Sequence, residues 1–261
     1  MKRVVIKIGS NVLTRADGAL DVTRISSIVD QVQALRGDGA QVMLVTSGAV
    51  ACGRSLLSRV GVAHELDTVE QRQLYSAVGQ VQLIDLYSRL FKDWNATIGQ
   101  VLTMKEHFST RREYQNQRAC MEVMLANDVV PVINENDTVC VTELMFTDND
   151  ELSGLVASMM HADMLFLLTN VDGIYNGPPS EESSRVISKV YPGDDISGGI
   201  GTQKSSSGRG GMQSKYAIAA RAAGEGIRVF IANGKRENII KDLYFGVPGT
   251  LCTEFVPAQS S

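Results

Sequence analysis

Short apolar runs rich in β-branched residues alternate along this chain with longer stretches of helical periodicity. The apolar runs are Val4–Ile8, Val42–Thr46, Thr97–Thr103, Val129–Ile133, Met164–Thr169 and Arg228–Ala232. The helical stretches are Thr23–Arg36, Val50–Ser58, Val69–Trp94, Arg111–Asn127, Asn149–His161 and Gly211–Gly224. Because the runs are almost continuously apolar, we expect strands buried on both faces, as in a parallel sheet covered by helices. The pattern therefore predicts an α/β fold, a three-layer α/β/α sandwich with a mainly parallel central sheet.

The charge balance and the hydropathy exclude two classes of partner. The 261 residues include 25 Lys and Arg against 29 Asp and Glu, a formal net charge of -4. This balance provides no general basic field for nucleic acid or for an anionic membrane. No segment approaches the roughly 18 uninterrupted apolar residues of a membrane span. We therefore expect no nucleic-acid partner and no membrane partner, and an anionic substrate would need a local cationic pocket.

The amino terminus and the cysteines indicate a cytoplasmic protein. The apolar part of MKRVVIKIGS is too short for a secretory signal and is interpreted as the first strand. The cysteines, Cys52, Cys120, Cys140 and Cys252, are widely separated and form no CxxC motif. We expect reduced thiols rather than disulfides or a zinc site.

A single domain over residues 1–261 is expected, because no linker or internal repeat divides the chain. The stretch Asn176–Gly211 differs in composition, with the pair Pro178 and Pro179, a run of serines and eight glycines. This composition predicts a mobile surface loop. Little sequence follows GVPGTLCTEF, so no C-terminal accessory domain is expected.

Two glycine-containing strand ends are candidate anion sites. In Lys7-Ile8-Gly9-Ser10, the glycine would let a phosphate approach backbone N–H groups, and the lysine would bind the phosphate oxygens. Taken alone, however, this segment fits a turn with a solvated lysine better than an anion site. In Val45-Thr46-Ser47-Gly48-Ala49-Val50, a buried strand leads directly into a helix. Ligands of open parallel sheets lie at the carboxyl ends of strands, and helix starts favour anions. Ser47 fits a helix cap and a ligand contact equally well.

Two acidic segments are further candidates. Pro131-Val132-Ile133-Asn134-Glu135-Asn136-Asp137 puts four polar residues directly after a buried strand. Its carboxamides suit an amino acid, and Asp137 suits an ammonium group, against the alternative of a solvated turn. Thr147-Asp148-Asn149-Asp150 precedes an apolar helix, where carboxylates serve well as cap and dipole partners. An Asp there would alternatively hold two lysines aimed at a phosphoryl group.

The segment from Ser207 to Lys215, SGRGGMQSK, opens the last long helical stretch. A glycine-rich loop at a helix N-terminus binds anions well, and a bound anion would offset the unfavourable position of Lys215 in the first turn. The alternative is a flexible Gly/Ser linker. No Walker A sequence is present.

Together these motifs resemble the amino-acid kinase family, and within it the glutamate 5-kinases. The resemblance is carried by VxKxGSxVLT, VTSGAVACG, VPVINEND, TDNDELS, LLTNVDGIY and GGMQSK, and it runs from about Arg3 to Thr253. It implies an eight-stranded, mainly parallel sheet between helices. It also implies that the N-terminal half binds glutamate and the C-terminal half binds ATP, and that the C-terminal PUA domain of longer members is absent.

The resemblance also implies roles for individual residues. Lys7 and Lys215 would neutralise the phosphoryl group in transfer, and Asp150 would organise both lysines. The residues expected to hold glutamate are Ser47, Gly48, Asn134, Asp137, Asp148 and Asn149. The residues expected at the nucleotide are Lys7, Gly9, Thr169, Asn170, Arg209, Gly210, Gly211, Met212, Gln213, Ser214 and Lys215.

The sequence departs from the family pattern at two nucleotide positions. Asn170 stands where relatives usually have Asp, and Arg209 stands where they usually have Thr. One acid is lost and one base is gained, so this edge of the site is expected to be more cationic, with ATP still the expected donor.

The expected reaction is ATP-dependent phosphorylation of the glutamate side-chain carboxylate, with Mg²⁺ bridging the β- and γ-phosphates. The product, glutamyl 5-phosphate, enters proline synthesis. Proline is the expected feedback inhibitor, acting through Phe108–Arg118, and a homo-oligomer (dimer or tetramer) and a glutamyl-phosphate reductase are expected partners. Two alternatives stay open: a kinase for another acid such as N-acetylglutamate or aspartate, and a non-catalytic regulator that binds a nucleotide or amino acid.

Overall fold

A computed structural model describes residues 1–58, 60–61, 66–139, 148–181, 183–196 and 211–258. The strands are β1 (Arg3–Ile8), β2 (Gln41–Val45), β3 (Thr97–Thr103), β4 (Val129–Glu135), β5 (Met164–Thr169), β6 (Lys189–Val190), β7 (Arg228–Asn233) and β8 (Thr253–Phe255). The helices are α1 (Ser10–Leu13), α2 (Val22–Gly37), α3 (Ala49–Ser58), α4 (Thr68–Lys92), α5 (Arg111–Ala126), α6 (Asn149–Met159), α7 (Met212–Gly224) and α8 (Ile239–Phe245), with a 3-10 turn at Lys105–Phe108.

The eight strands form one sheet in the order β3-β4-β2-β1-β5-β7-β8-β6. In this spatial order, all neighbouring strands from β3 to β7 are parallel, and β8 pairs antiparallel with β7. The carboxyl ends of β4, β2, β1 and β5 therefore lie side by side at one edge of the sheet. The predicted α/β/α sandwich with a mainly parallel sheet is confirmed.

Helices cover both faces of the sheet, and the alternation of side chains along β1 shows why. Val4, Ile6 and Ile8 belong to the core on the face covered by α2, α4 and α8. Val5 belongs to the opposite core, beneath α5, α6 and α7. Because successive side chains point to opposite faces, Lys7 lies on the same face as Val5.

Each of the six predicted strands and six predicted helices is present, with ends displaced by one or two residues. The stretch predicted as a surface loop, Asn176–Gly211, is more ordered than expected. Val186 bridges Tyr175, and Lys189–Val190 forms the outermost strand, with Val190 buried. Residues 182 and 197–210 lie outside the described part of the chain, so the prediction of mobility stays untested there. Within the described residues, none of the helices is both long and apolar enough to cross a membrane.

Helices α3 and α4 pack backbone to backbone through two glycines. A Cβ at Gly53 would overlap the carbonyl group of Tyr75, and a Cβ at Gly79 would overlap that of Ala49. Neither backbone can move far, since α3 starts at the carboxyl end of β2 and α4 packs on the sheet. The close approach fixes how α4 lies over the edge of the sheet where the strand ends meet.

We predict that Gly53→Ala and Gly79→Ala each destabilise the protein by about 1–3 kcal/mol or more, because the added methyl group forces the two helices apart. The matched control is Gly224→Ala at the end of α7, where a Cβ meets no atom within 4 Å. Gly224→Ala should be neutral or slightly stabilising. Chemical denaturation of the three variants and the parent tests this, and an equal effect at all three positions would contradict the prediction.

Candidate active site

A cleft of about 830 Å³ opens at the carboxyl ends of the central strands. Its lining includes twelve of the residues selected from the sequence: Lys7, Gly9, Ser47, Gly48, Asn134, Asp137, Asp148, Asn149, Asp150, Thr169, Asn170 and Lys215. These residues come from segments as far apart in the sequence as Lys7 and Lys215, and the parallel sheet brings them together at its carboxyl edge.

Three charged side chains form a buried ionic triad within the cleft. Lys7 Nζ lies 2.6 Å from Asp150 Oδ1, and Lys215 Nζ donates to Asp150 Oδ2 at 2.8 Å. The three side chains are 7%, 9% and 1% exposed for Lys7, Lys215 and Asp150, respectively. One carboxylate thus holds two ammonium groups, one on each of its oxygens, and the triad carries a net charge of +1.

Each member of the triad is positioned by a different element. Lys7 comes from β1, on the face covered by α6 and α7. Asp150 lies in the first turn of α6, and Lys215 lies in the first turn of α7. The positive ends of both helix dipoles therefore point towards the same place, which favours an anionic ligand there.

The ionisation of Asp150 is set by two opposing effects. Burial alone would raise the pKa of this carboxyl, but the charges and hydrogen bonds of Lys7 and Lys215 outweigh burial and lower the pKa below its ordinary value. Asp150 is therefore ionised at neutral pH and acts as a fixed negative centre between the two lysines.

Asp148 joins the two helices at the site. Its Oδ1 caps α6 by accepting from the backbone N–H groups of Asp150 at 2.9 Å and Glu151 at 3.0 Å, and its Oδ2 accepts from Ser214 Oγ at 2.9 Å. Burial and the neighbouring charge of Asp150 raise the pKa of Asp148 despite these hydrogen bonds. The pKa values of Asp148 and Asp150 are thus shifted in opposite directions.

A chain of carboxamides crosses the other side of the cleft. Asn149 Nδ2 donates to Asn134 Oδ1 at 3.0 Å, to Ser47 Oγ at 3.0 Å and to the Thr46 carbonyl at 2.7 Å. Asn134 Nδ2 in turn donates to Gln80 Oε1 at 2.8 Å. Next to Ser47, Gly48 has a φ of +96°, which a residue with a side chain adopts only with strain. The chain holds the predicted substrate-binding amides in fixed orientations.

An arginine that the sequence analysis did not select lies at the end of this chain of amides. Arg72, from α4, bonds Asp137 through Nε at 3.1 Å and through Nη2, and its Nη2 also reaches Glu135 Oε2 at 3.1 Å. Arg72 and Glu135 both line the cleft. Arg72, Ser76 and Gln80 repeat every four residues on one face of α4, and Ser76 is buried. This polar stripe on a packed helix face is the sequence pattern that would have indicated Arg72 and Gln80.

The predicted nucleotide residues are only partly placed by the structure. Thr169 ends β5 and Asn170 follows it at the cleft, and Gly9 approaches the Leu168 carbonyl beside Lys7. Gly211 caps α7 without a side-chain hydrogen bond, and Met212, Gln213 and Ser214 form the first turn of that helix. Gly211–Ser214 do not belong to the cleft lining among the described residues. Arg209, Gly210 and Thr147 lie outside the described part of the chain.

No three His, Cys, Asp or Glu side chains converge as a metal site among residues that the structure describes. The acidic groups nearest the triad are already engaged: Asp150 with two lysines, and Asp148 with α6 and Ser214. These two acids therefore already have protein partners.

Comparisons with known proteins identify relatives of this chain. Residues 2–233 match the amino acid kinase family. The chain is 56% identical over 259 residues to glutamate 5-kinase of Bacteroides thetaiotaomicron, covering 99% of this chain and 71% of that protein. It is 44% identical over 263 residues to glutamate 5-kinase of Chlorobaculum tepidum, again covering 99% and 71%.

Solved structures of UMP kinases are similar in fold. The enzyme from Bacillus anthracis matches with a TM-score of 0.67 at 17% identity, covering 100% of this chain and 98% of the other. The enzyme from Ureaplasma parvum matches with a TM-score of 0.64 at 13% identity, covering 98% of each chain. At these identities the likeness shows the fold alone.

We predict opposite stability effects for the two perturbed acids. Because the pKa of Asp150 is lowered, its ionised form stabilises the fold above the ordinary pKa of 3.8, and this contribution is lost as pH falls through the lower folded value. Because the pKa of Asp148 is raised, its ionised form destabilises the fold above the raised value, and this effect vanishes below 3.8. At pH 7, Asp150→Asn should lose roughly 3–5 kcal/mol, and Asp148→Asn should match or exceed the parent in stability.

Thermal melts of parent and variants between about pH 3 and pH 8 test this pair. The difference between Asp150→Asn and the parent should stay constant down to about pH 4 and begin to shrink only below 3.8, whereas any advantage of Asp148→Asn should shrink as pH falls through the raised pKa of Asp148 towards 3.8. Destabilisation of both variants by the same amount at pH 7 would contradict the assignment.

Proposed function

This chain belongs to the amino acid kinase family and, within it, to the glutamate 5-kinases, and we propose how its cleft carries out their reaction. The reaction is phosphorylation of the side-chain carboxylate of L-glutamate by ATP, which gives L-glutamyl 5-phosphate and ADP for proline biosynthesis. The observation that carries the proposed mechanism is the buried triad of Lys7, Asp150 and Lys215, a preorganised cationic centre at the carboxyl ends of the strands.

The two lysines stabilise the phosphoryl group as it moves. Phosphoryl transfer passes through a loose transition state with charge on the equatorial oxygens and on the attacking and leaving oxygens. Compact ammonium groups fixed in a buried site stabilise that charge without reorganising at the moment of reaction. Asp150 pairs with both lysines and holds their ammonium groups at the cleft.

The acceptor needs no general base. A glutamate side chain ionises near ~4.3, so its carboxylate is already the nucleophile at neutral pH. The remaining requirement is position, since an oriented nucleophile gains much of the rate that enzymes achieve. We assign that task to the amides of Asn134 and Asn149, to Ser47 with Gly48, and to Asp137 as the partner of the substrate ammonium. Asp148, which caps α6, is assigned to the acceptor side of the site as well.

The nucleotide is assigned to the other side of the triad. The uncapped start of α7 at Gly211 suits a phosphate, with Met212–Ser214 supplying the backbone of the first turn. Gly9, Thr169 and Asn170 complete this side, and Arg209 and Gly210 are assigned to it from the sequence alone. Mg²⁺, if bound with the nucleotide, would neutralise charge on the phosphates; we propose that it would be held mainly by the nucleotide, because Asp148 and Asp150 already have protein partners.

Further expectations from the sequence stay predictions. These are feedback inhibition by proline through Phe108–Arg118, a dimeric or tetrameric assembly, delivery of the product to a glutamyl-phosphate reductase, and a cytoplasmic location. Inhibition kinetics with proline and light scattering of the purified protein test the first two.

We predict glutamate-dependent formation of ADP that requires Mg²⁺ and yields γ-glutamyl hydroxamate when hydroxylamine is present, because an acyl phosphate reacts with that nucleophile. N-acetylglutamate should be a poor acceptor, since its blocked nitrogen carries no charge for Asp137. A folded protein that forms the hydroxamate of N-acetylglutamate but not of glutamate would overturn the acceptor assignment.

We predict that Lys7→Met and Lys215→Met each lower kcat by about 10²–10³-fold, because each removes a charge used in the transition state. The kcat of Lys7→Arg and of Lys215→Arg should also fall substantially, because a planar guanidinium group does not replace a compact ammonium group. Lys92→Met, at an exposed position at the end of α4, is the matched control. Steady-state kinetics alongside thermal melts measure this; a kcat within about threefold of the parent removes that lysine from the mechanism.

We predict that Asp137→Ala raises the KM for glutamate well above any change in the KM for ATP. Losing one side of a buried carboxylate–ammonium contact costs roughly 2–5 kcal/mol. Two-substrate kinetics decide the matter, and equal changes in both KM values would place Asp137 outside the glutamate site.

A further inference from the structure

Asp172, shortly after the end of β5, is held by two residues at and beyond the end of β7. Arg236 donates to it twice, from Nε to Oδ1 at 2.6 Å and from Nη2 to Oδ2 at 2.8 Å. Asn233, the last residue of β7, donates from Nδ2 to Oδ1 at 3.0 Å. Because a guanidinium group and a carboxylate are both planar, such a two-point contact fixes the orientation of the two segments as well as the distance between them.

This contact is the second of two that fasten the segment leaving β5 at the cleft. The first is at Thr169, whose carbonyl accepts from the N–H of Gly234 at 2.8 Å. Asp172 is fastened three residues later, so Asn170 and Val171 form a short span between two fixed points. Asn170 and Thr169 both line the cleft. The position of Asn170 therefore depends on the contact that Asp172 makes.

The chain on the other side of Asp172 is also held closely. Gly173 passes so near to Thr253 that an added Cβ would lie 2.6 Å from the hydroxyl oxygen of Thr253. The N–H of Ile174 donates to the same hydroxyl at 2.7 Å. Since this part of the chain is packed against β8, movement of Asp172 would be taken up mainly by the span that precedes it, at the cleft.

The pair of Asp172 and Arg236 is well suited to position a segment and poorly suited to stabilise the fold. The side chains are 18% and 45% exposed, respectively, and ion pairs open to solvent contribute little to stability. The hydrogen bonds from Arg236 hold the pKa of Asp172 below its ordinary value, so the carboxylate is ionised at neutral pH and the two-point contact is kept. The pair has no net charge.

We propose that Arg236, acting through Asp172, positions the segment Thr169–Asn170 for the nucleotide and thereby determines the affinity for ATP. Arg236 is in this sense a positioning residue that needs no contact with the nucleotide itself. The inference rests on the proposed assignment of Thr169 and Asn170 to the nucleotide side of the cleft, and it adds the residues that hold this segment in place.

Three variants and one control test the proposal. The variants are Arg236→Met, Asp172→Ala and the double variant Arg236→Met/Asp172→Ala. Arg228→Met is the matched control, because Arg228 begins the same strand, has a side chain 47% exposed and pairs with Glu254 at 2.8 Å. The measurements are the KM for each substrate and kcat in the hydroxamate assay, the Kd of ATP with Mg²⁺ by titration calorimetry without glutamate, and thermal melts.

Arg236→Met should raise the KM and the Kd for ATP by about fivefold to thirtyfold, the factor that corresponds to one or two kcal/mol. The KM for glutamate and kcat should stay within about threefold of the parent, because a nucleotide contact away from the triad is lost equally in the ground state and the transition state. Asp172→Ala and the double variant should weaken ATP by a similar factor, since each removes the same contact. Arg228→Met should leave the KM for ATP unchanged, whatever it does to the melting temperature.

The two single variants separate positioning from simple charge. Asp172→Ala removes a negative charge, so a pair that acted on ATP only by its charge would give tighter binding in this variant and recovery in the double variant. Either of these results overturns the proposal, as does a KM for ATP within about threefold of the parent in Arg236→Met. Equal rises in both KM values would also overturn it, because that pattern describes a general distortion of the cleft.

A parent protein that forms no hydroxamate from glutamate would instead contradict the proposed function. The calorimetric titrations of the parent and the variants would still test Arg236 in that case, since they need no acceptor. The two failures are therefore distinct.

Discussion

The ion pairs of Asp150 with Lys7 and Lys215 are the interaction on which the site depends. A carboxylate only 1% exposed is costly to bury alone, and two lysines on its two oxygens compensate that cost. Because the partners come from β1, α6 and α7, the triad also fixes the starts of two helices against the end of a central strand. The same contacts that make the buried charge tolerable hold two ammonium groups at the cleft, where the proposed mechanism uses them.

Most of the sheet could be predicted because burial on both faces leaves a strong pattern in the sequence. A run such as Met164–Thr169 is apolar at nearly every position and is bounded by polar segments, so its assignment needs no tertiary information. The two-residue strand Lys189–Val190 has no such pattern. It exists because β8 offers a partner, and β8 itself has only three residues, two of them polar. Such short edge strands are determined by tertiary pairing, which local sequence does not reveal.

The candidate site could be predicted to the extent that its residues follow strands. Asn134 lies at the end of β4, Asp137 follows two residues after that strand, and Lys7 and Gly9 lie at the end of β1, so the rule that ligands meet strand ends applied to them. Arg72 and Gln80 come from within a helix, 65 and 54 residues from Asp137 and Asn134. Their role depends on how α4 packs over the sheet, and that packing is set by the glycine contact with α3. A row of polar residues on a packed helix face indicates that such side chains have polar partners, but the sequence does not show which residues those partners are.

The charge of the triad gives a physical reason for which end of the proposed acceptor would face the phosphoryl group. Lys7, Lys215 and Asp150 sum to +1. Glutamate is itself polar in this sense: its α-carbon carries a charge pair that is neutral overall, and its side chain ends in a single negative charge. Under the proposed assignment, the side-chain carboxylate is attracted to the triad, and reversing the molecule would bring an ammonium group against the two lysines. The charge of the triad therefore favours the orientation in which the side-chain carboxylate is the nucleophile, before any steric contact is considered.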